Sequence, residues 1–223
     1  MRYDLVIFDL DGTLADSFPF FVSVHNRLAR RHGFRRIELS EVEALRDRSP
    51  RELMRHVGLP RWKLPWVARS FIRLMHEEGR HVAPFAGVDA VLRQIHASGV
   101  ALALVSSNSA GNCRRVLGED NWARFAHVEC GASIFGKGHR IAHALAATGT
   151  RANRALYVGD QVTDALAARA AGVAFGAVGW GYASFASLLA ANPDIAFSRV
   201  QDLAHLAHLA RHETALRPAE RAA

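Results

Sequence analysis

A short, wholly apolar run near the start of the chain, Leu5 to Phe8, constrains the fold more than any other feature. An alternating strand would have one face in water, whereas an uninterrupted apolar strand is typical of a parallel sheet covered on both faces. The run predicts a strand over residues 3–9. Comparable strands are predicted at 100–105 and 155–158, with weaker ones at 128–130, 174–178 and 195–197.

Helical patterns separate these strands and are predicted at about 88–97, 111–117, 138–147, 163–171 and 185–191. Regular alternation of strand and helix is typical of the α/β class. We therefore predict a doubly wound, Rossmann-like parallel sheet. In such folds the binding sites lie beyond the carboxyl ends of the strands, where the connections diverge.

The stretch from residue 18 to about residue 80 interrupts the alternation. It carries helical periodicity, as in Phe21, Val24 and Leu28, and almost no strand signal. We predict a core formed by residues 1–17 and 82–223, and an inserted, all-helical domain over residues 18–81, which we call the cap. Both ends of the insertion join the core next to the predicted site, so the cap could act as a lid.

The composition predicts a globular protein of a reducing compartment. Half of the 223 residues are hydrophobic and 22% are charged, which is enough apolar material for a sizeable core. The two cysteines, Cys113 and Cys130, are too few for a disulfide scaffold and lack metal-ligand spacing, so we expect them to be packing residues. The early apolar run is too short for a secretion signal or a membrane span. We expect a cytoplasmic protein without a membrane partner, and the sequence does not indicate its oligomeric state.

The net charge of +7 raises the question of a nucleic acid partner. The positive charges are scattered along amphipathic segments rather than concentrated in one stripe, so solvated helix faces are the better interpretation, and no specific nucleic acid partner is expected. Only two of the 28 basic residues are lysines, Lys63 and Lys137. Because the chain otherwise uses arginine for its positive charges, each lysine is a candidate for a specific role.

Four polar clusters fall where predicted strands end: Asp9 with Asp11, Ser106 to Asn108, Lys137, and Asp160 with Asp164. Two carboxylates two residues apart both ionise easily only when a cation is near or when they share a proton. Several oxygen ligands around a hard cation are the usual way in which Mg²⁺ is held. A phosphate beside that ion would need hydroxyl and N–H donors and a fixed positive charge, which Ser106, Asn108 and Lys137 can supply.

These clusters belong to longer motifs, which are DLDGTLADS near the start, LRDRSPREL in the predicted cap, PFAGV at the return to the core, VSSN, Lys137, YVGDQVTD and VGWGY. In this order, and at the ends of strands, they closely resemble the phosphatases of the haloacid dehalogenase superfamily that carry a helical C1-type cap, close to phosphoglycolate phosphatases. The resemblance extends from residue 3 to about residue 210. It implies a magnesium-dependent phosphatase that acts on a small-molecule phosphate monoester.

The resemblance also implies roles for individual residues. Asp9 would be the nucleophile and a Mg²⁺ ligand, and Asp11 the general acid and base, with its main-chain carbonyl on the metal. Asp160 would be the second side-chain ligand, supported by Asp164. Ser106 and Lys137 would bind the phosphoryl oxygens. The remaining predicted substrate-binding positions are Gly12, Thr13, Ser107 and Asn108.

Three arginines in the cap motif, Arg46, Arg48 and Arg51, are candidates for contact with the leaving group. They surround a predicted helix start, with Ser49 as N-cap and Pro50 at the first helical position. An inward-pointing guanidinium would favour a small carboxylate-bearing substrate such as phosphoglycolate. The alternative is that all three are solvated.

Several alternative functions remain open from the sequence. A metal-independent dehalogenase would lack the second carboxylate of the first motif, so Asp11 argues against it. A phosphonate hydrolase would need a cap lysine, for which Lys63 is the only candidate. A phosphomutase would share every core residue. A non-catalytic binding protein could use the arginine-rich surface, although the intact set of core residues argues against that.

Overall fold

The computed structural model describes residues 3–48, 50–78, 82–131 and 137–210. Its centre is a six-stranded, wholly parallel sheet, as the alternating pattern predicts. The strands are β1 Leu5–Phe8, β2 Ala101–Val105, β3 Phe125–Glu129, β4 Ala155–Gly159, β5 Ala174–Val178 and β6 Ile195–Phe197. They lie in the order β3-β2-β1-β4-β5-β6. Successive residues of β1 enter two different hydrophobic clusters, one on each face of the sheet. Burial on both faces explains why the strand has no polar positions.

The register of the three central strands determines where the site lies. Phe8 of β1 is aligned with Leu104 of β2 and with Val158 of β4, so these strands end at the same edge of the sheet. The chain runs from β1 through β2 to β3 on one side and then crosses to β4 on the other side. This divergence of connections around β1 is the topological position at which open α/β sheets bind ligands.

Helices cover both faces of the sheet and form the inserted segment. Those of the core are α5 Val88–Ala97, α6 Ala110–Trp122, α7 Lys137–Thr148, α8 Val162–Ala170, α9 Phe185–Ala190 and α10 His205–Ala210. The last of these has no counterpart in the sequence prediction, although its residues Leu206 and Ala207 are buried. Residues 211–223, which we expect to fray, lie outside the described residues.

The described part of the insertion is helical, with α1 Phe18–His32, α2 Val42–Leu45, α3 Pro50–His56 and α4 Leu64–Glu78. Helices α1 and α4 pack through Val24, Leu28, Val67 and Leu74, which form a small hydrophobic cluster of their own. Pro50 begins α3 as predicted, whereas the predicted N-cap Ser49 lies outside the described residues. The division into a core and a separate cap domain stays a prediction.

Lys63, the cap lysine that a phosphonate hydrolase would need, lies at the distal end of α1. Its Nζ donates a hydrogen bond to the carbonyl oxygen of His32 over 2.6 Å. Helix α1 begins at Phe18, beside the core, and its 15 residues span about 22 Å at 1.5 Å per residue. Lys63 therefore stabilises a helix end far from the carboxylates.

The helices of the described segments include none with the length and hydrophobicity of a transmembrane span.

Candidate active site

A tight turn directly after β1 presents the first pair of aspartates. Four amide hydrogen bonds close it: Gly12 to the Ala15 oxygen, and residues 13–15 to the Leu10 oxygen. The buried Asp9 carboxylate accepts a hydrogen bond from the Leu10 amide at Oδ1 over 2.8 Å. Gly12 has φ +80°, and a Cβ there would lie 2.1 Å from Asp160 Oδ2. The turn therefore requires glycine both for its left-handed backbone and for its approach to the next carboxylate.

The second pair of aspartates follows β4. Asp160 Oδ2 accepts a hydrogen bond from the Tyr182 amide over 2.7 Å, while Oδ1 is buried and has no hydrogen-bond partner among the described residues. Asp164 lies in the first turn of α8, where its Oδ2 accepts the Gln161 amide over 3.0 Å in a capping box. A buried carboxylate oxygen without a partner is costly, so Asp160 Oδ1 has one coordination position available for a cation.

Lys137, the first residue of α7, joins the two pairs. Its Nζ donates to Asp9 Oδ2 over 2.6 Å and to Asp164 Oδ1 over 2.7 Å. Its side chain is only 10% exposed, so both ion pairs are shielded from water. Positions 9, 137 and 164 are distant in sequence, and the fold brings them within direct contact.

The cluster has more acidic than basic groups. Carboxylate oxygens of Asp9, Asp160 and Asp164 lie within 4.8 Å of one another, and with all three ionised the single ammonium of Lys137 would leave two negative charges unbalanced. Burial raises the pKa of Asp9 to about 7, partly offset by Lys137, and raises the pKa of Asp160 well above its usual range. A bound divalent cation would balance both charges, and an all-oxygen donor set suits a hard ion such as Mg²⁺.

The loop after β2 brings the predicted phosphate-binding groups to the same edge. Ser106 is buried, and its Oγ accepts the amide of Asn108 over 3.1 Å, as a turn-forming hydroxyl does. Asn108 Nδ2 donates to Asp11 Oδ2 over 3.4 Å. Ser107 is exposed, and the buried Thr13 Oγ1 has no hydrogen-bond partner among the described residues. The predicted core residues are therefore close together, although their catalytic roles stay predictions.

Sequence reasoning assigned no site role to Tyr182, which this structure places beside the carboxylates. Besides its amide bond to Asp160, its hydroxyl lies 2.8 Å from Ser17 Oγ. Ser17 in turn connects Tyr182 to Asp11. Burial raises the pKa of Asp11, and hydrogen bonds from Ser17 and Asn108 partly offset that effect. A Cβ at the preceding Gly181 would lie 2.2 Å from the Asp160 Cβ, so Gly181 of the VGWGY turn was a usable signal.

The cap reaches the core through one of the three predicted arginines. Arg46 Nη1 donates to the Gly181 carbonyl oxygen over 2.7 Å, and its guanidinium lies 5.2 Å from the Phe18 ring centroid. The neighbouring Asp47 accepts hydrogen bonds from the Ser184 amide and hydroxyl over 3.0 and 2.8 Å. Arg48 is exposed, and the side chain of Arg51 lies outside the described residues. Of the two predicted arginines whose side chains are described, Arg46 is therefore the one that lies at the site.

Comparison with known proteins agrees with this architecture. The model of the haloacid dehalogenase-like hydrolase family matches residues 6–178. A phosphoglycolate phosphatase of Synechococcus elongatus is 32% identical over 199 residues, which cover 89% of this chain and 94% of that protein. One from Caulobacter vibrioides is 29% identical over 188 residues, covering 79% of each chain.

A solved haloacid dehalogenase-like hydrolase from Streptococcus pneumoniae superposes with a TM-score of 0.79, covering 90% of this chain and 96% of that one. At 19% identity, this likeness shows a common fold alone. The family match, in contrast, spans most of the chain and includes the residues that build the carboxylate cluster. The protein therefore belongs to the haloacid dehalogenase-like hydrolases.

Proposed function

We propose that this protein is a magnesium-dependent phosphatase that hydrolyses a small, acidic phosphate monoester, of the phosphoglycolate type, through an aspartyl phosphate on Asp9. The observation that carries the proposal is the buried cluster of Asp9, Asp160, Asp164 and Lys137, which has three carboxyl groups against one ammonium and an Asp160 oxygen without a partner among the described residues. The names of the two phosphoglycolate phosphatase relatives agree with it.

In the first half of the reaction, a carboxylate oxygen of Asp9 attacks phosphorus and the bond from phosphorus to the leaving oxygen breaks. Asp11 donates its proton to that oxygen, which leaves as the alcohol. Burial favours the protonated form of Asp11 before this step, because it raises the pKa of the carboxyl group. Asn108, which contacts the Asp11 carboxyl group, would hold it in place.

In the second half, Asp11 is ionised and accepts a proton from a water molecule that attacks the phosphorus of the aspartyl phosphate. The bond from phosphorus to the Asp9 oxygen breaks, which regenerates the Asp9 carboxylate and releases inorganic phosphate. The hydroxyl of Ser106 and the ammonium of Lys137 would bind the phosphoryl oxygens throughout. Lys137 already contacts Asp9 Oδ2, so its charge lies next to the carboxyl group that receives the phosphoryl group.

Asp9, Asp160 and the main-chain carbonyl of Asp11 would hold Mg²⁺, with Asp164 in support. The ion would supply positive charge beside the phosphoryl oxygens when bound. Asp164 is already committed to Lys137 and to the Gln161 amide, which suits a supporting residue that fixes its neighbours.

Substrate choice would depend on Arg46, because it is a cap arginine whose described side chain reaches the site. Its planar guanidinium now donates to the Gly181 carbonyl and could instead bind a carboxylate through two parallel hydrogen bonds. A neutral sugar offers no such partner. We therefore propose a substrate that carries a carboxylate close to its phosphate.

The test is a panel of phosphate monoesters, including phosphoglycolate, p-nitrophenyl phosphate and hexose phosphates, assayed with and without Mg²⁺. We expect phosphate release only with the metal, and kcat/KM at least about tenfold higher for the small acidic ester than for hexose phosphates. Conversion of a hexose phosphate into its isomer without phosphate release would favour a phosphomutase. A folded protein that releases phosphate from none of these esters would refute the proposal.

A further inference from the structure

The two cysteines of the chain are direct neighbours in space. Cys113 lies in α6 and Cys130 directly after β3, and their Sγ atoms are 3.3 Å apart, within hydrogen-bond distance. Both are free thiols. The sequence prediction treated them as separate packing residues, and this contact is what it missed. A disulfide needs the sulfurs at about 2.05 Å, so an approach of little more than 1 Å would join them.

The two thiols differ in access and in chemical character. Cys113 is fully buried, whereas Cys130 is half-buried and is followed by the exposed Gly131. The hydrogen bond between the thiols lowers the pKa of Cys130, with a further contribution from the positive charge of Arg140, and raises the pKa of Cys113. Cys130 is thus the thiol that an external reagent can meet first, and Cys113 is positioned to displace that reagent.

This pair lies against the loop that is proposed to bind phosphate. Ser106 also acts on the Cys113 thiol, since it partly offsets the rise in the pKa of that thiol. The Ser106 amide donates to the Glu129 carbonyl oxygen over 2.9 Å, and the Gly131 amide donates to the Asn108 carbonyl oxygen over 2.6 Å. The end of β3 is therefore hydrogen-bonded to both ends of the 106–108 loop. A movement of either sulfur would displace that loop through these bonds.

We infer that Cys113 and Cys130 form a reversible dithiol–disulfide site whose oxidation disturbs the 106–108 loop. The oxidant is a low-molecular-weight disulfide such as oxidised glutathione. The Cys130 thiolate attacks one sulfur of the reagent, a mixed disulfide forms and one glutathione leaves. The Cys113 thiol then gives up its proton, which ends on the departing glutathione sulfur, and its sulfur attacks the Cys130 sulfur as this second glutathione leaves. Two protein thiols and one disulfide become one protein disulfide and two free thiols, so atoms and electrons balance.

The direct test is a thiol count and an intact-mass measurement on the native protein after treatment with oxidised glutathione. The chain has two cysteines in all, so the count is unambiguous. We expect wild-type protein to lose both thiols, to lose the mass of two hydrogen atoms without retaining glutathione, and to recover both thiols with dithiothreitol. Cys113→Ala should retain one glutathione on Cys130, because the displacing thiol is gone. Wild-type protein that keeps two free thiols, or that retains glutathione as Cys113→Ala does, would overturn the inference.

The effect on turnover rests on the proposed phosphatase function and is measured separately. We expect oxidised wild-type enzyme to lose at least about fivefold in activity and to regain it on reduction. Cys130→Ser should match reduced wild type within about twofold and should not respond to the oxidant. A disulfide that forms without loss of turnover would overturn the link to the loop. If reduced wild-type protein has no phosphatase activity, the proposed function fails, but the mass measurement still decides whether the dithiol site exists.

Discussion

The Asp9 side chain is both buried and held in a fixed orientation. It is buried, and it is held by one amide and one ammonium, with two further carboxylates within 4.8 Å. Each partner fixes a different oxygen, so the carboxylate is aligned before any substrate arrives. This alignment is what a nucleophile for phosphoryl transfer needs, because most of the barrier is lowered by positioning and charge.

Replacing Asp9 by asparagine should abolish turnover, by at least about 1000-fold, because an amide oxygen is a poor nucleophile and carries no charge. The fold should survive, since the substitution preserves the shape of the side chain and lowers the negative charge of a buried cluster. The measurement is phosphate release beside circular dichroism. Excess chelator should also abolish phosphate release by the wild-type enzyme until Mg²⁺ is restored. A folded Asp9→Asn variant that turns over at the wild-type rate would contradict the mechanism.

Lys137→Ala and Asp160→Ala should each lower kcat by about 100-fold or more, because each removes a charge that faces the reacting group. His139→Ala is the matched control, since His139 is exposed and lies two residues from Lys137 on the same helix. Melting curves add a second measurement. Mg²⁺ should raise the Tm of wild-type protein and of His139→Ala but not that of Asp160→Ala. A His139 effect as large as the other two would mean that a histidine ligand or base has been overlooked.

At the scale of secondary structure, the residues directly after α2 connect the inserted helical segment to the edge of the sheet that carries the candidate site. Arg46 is bonded to Gly181, and Asp47 is bonded to Ser184, so two consecutive cap residues touch the segment after β5. That segment also supplies the Tyr182 amide to Asp160. The cap therefore contacts the same short segment that orients a carboxylate of the core.

Arg46→Ala should narrow the preference for a small acidic ester over hexose phosphates by about tenfold or more, because a charge-assisted contact of about 1.5–3 kcal/mol is lost. Arg48→Ala is the control, because that side chain is exposed two residues away. The measurement is kcat/KM for both substrate types in both variants. Equal preference in wild type, or an Arg48→Ala effect equal to that of Arg46→Ala, would leave the phosphatase chemistry intact but contradict this account of specificity.

For the molecule as a whole, the charge is strongly asymmetric. The segment 18–81 has 14 basic and 7 acidic residues, so its net charge is +7. The rest of the chain has 14 of each and is neutral overall, so this segment accounts for the whole net charge of the protein. Scattered surface arginines attract polyanions through counterion release without reading a sequence. Nucleic acid binding, where it occurs, should therefore be a property of the cap.

Binding to a labelled DNA duplex should be weak, independent of sequence, and at least about tenfold weaker at about 200 mM than at about 50 mM salt. Fluorescence anisotropy across a salt series measures this. A duplex complex that persists at submicromolar concentration in physiological salt would instead favour the non-catalytic binding function.

Local sequence patterns determined the sheet and the position of the site. Helix α5 and strands β5 and β6 have the predicted bounds, because their apolar periodicity is a property of neighbouring residues. The motifs placed carboxylates at the ends of β1 and β4, and parallel strands bring those ends to one edge without further information. Fold class and the identity of the candidate residues therefore follow from the sequence.

Tertiary packing decided which of these groups touch. The Lys137–Asp9 ion pair joins residues 128 positions apart, and the Arg46–Gly181 bond joins residues 135 apart. The contact between Cys113 and Cys130 depends on how α6 packs on β3. Such contacts are set to a fraction of an ångström by close packing of side chains from separate elements, and no periodicity or spacing in the chain records that distance.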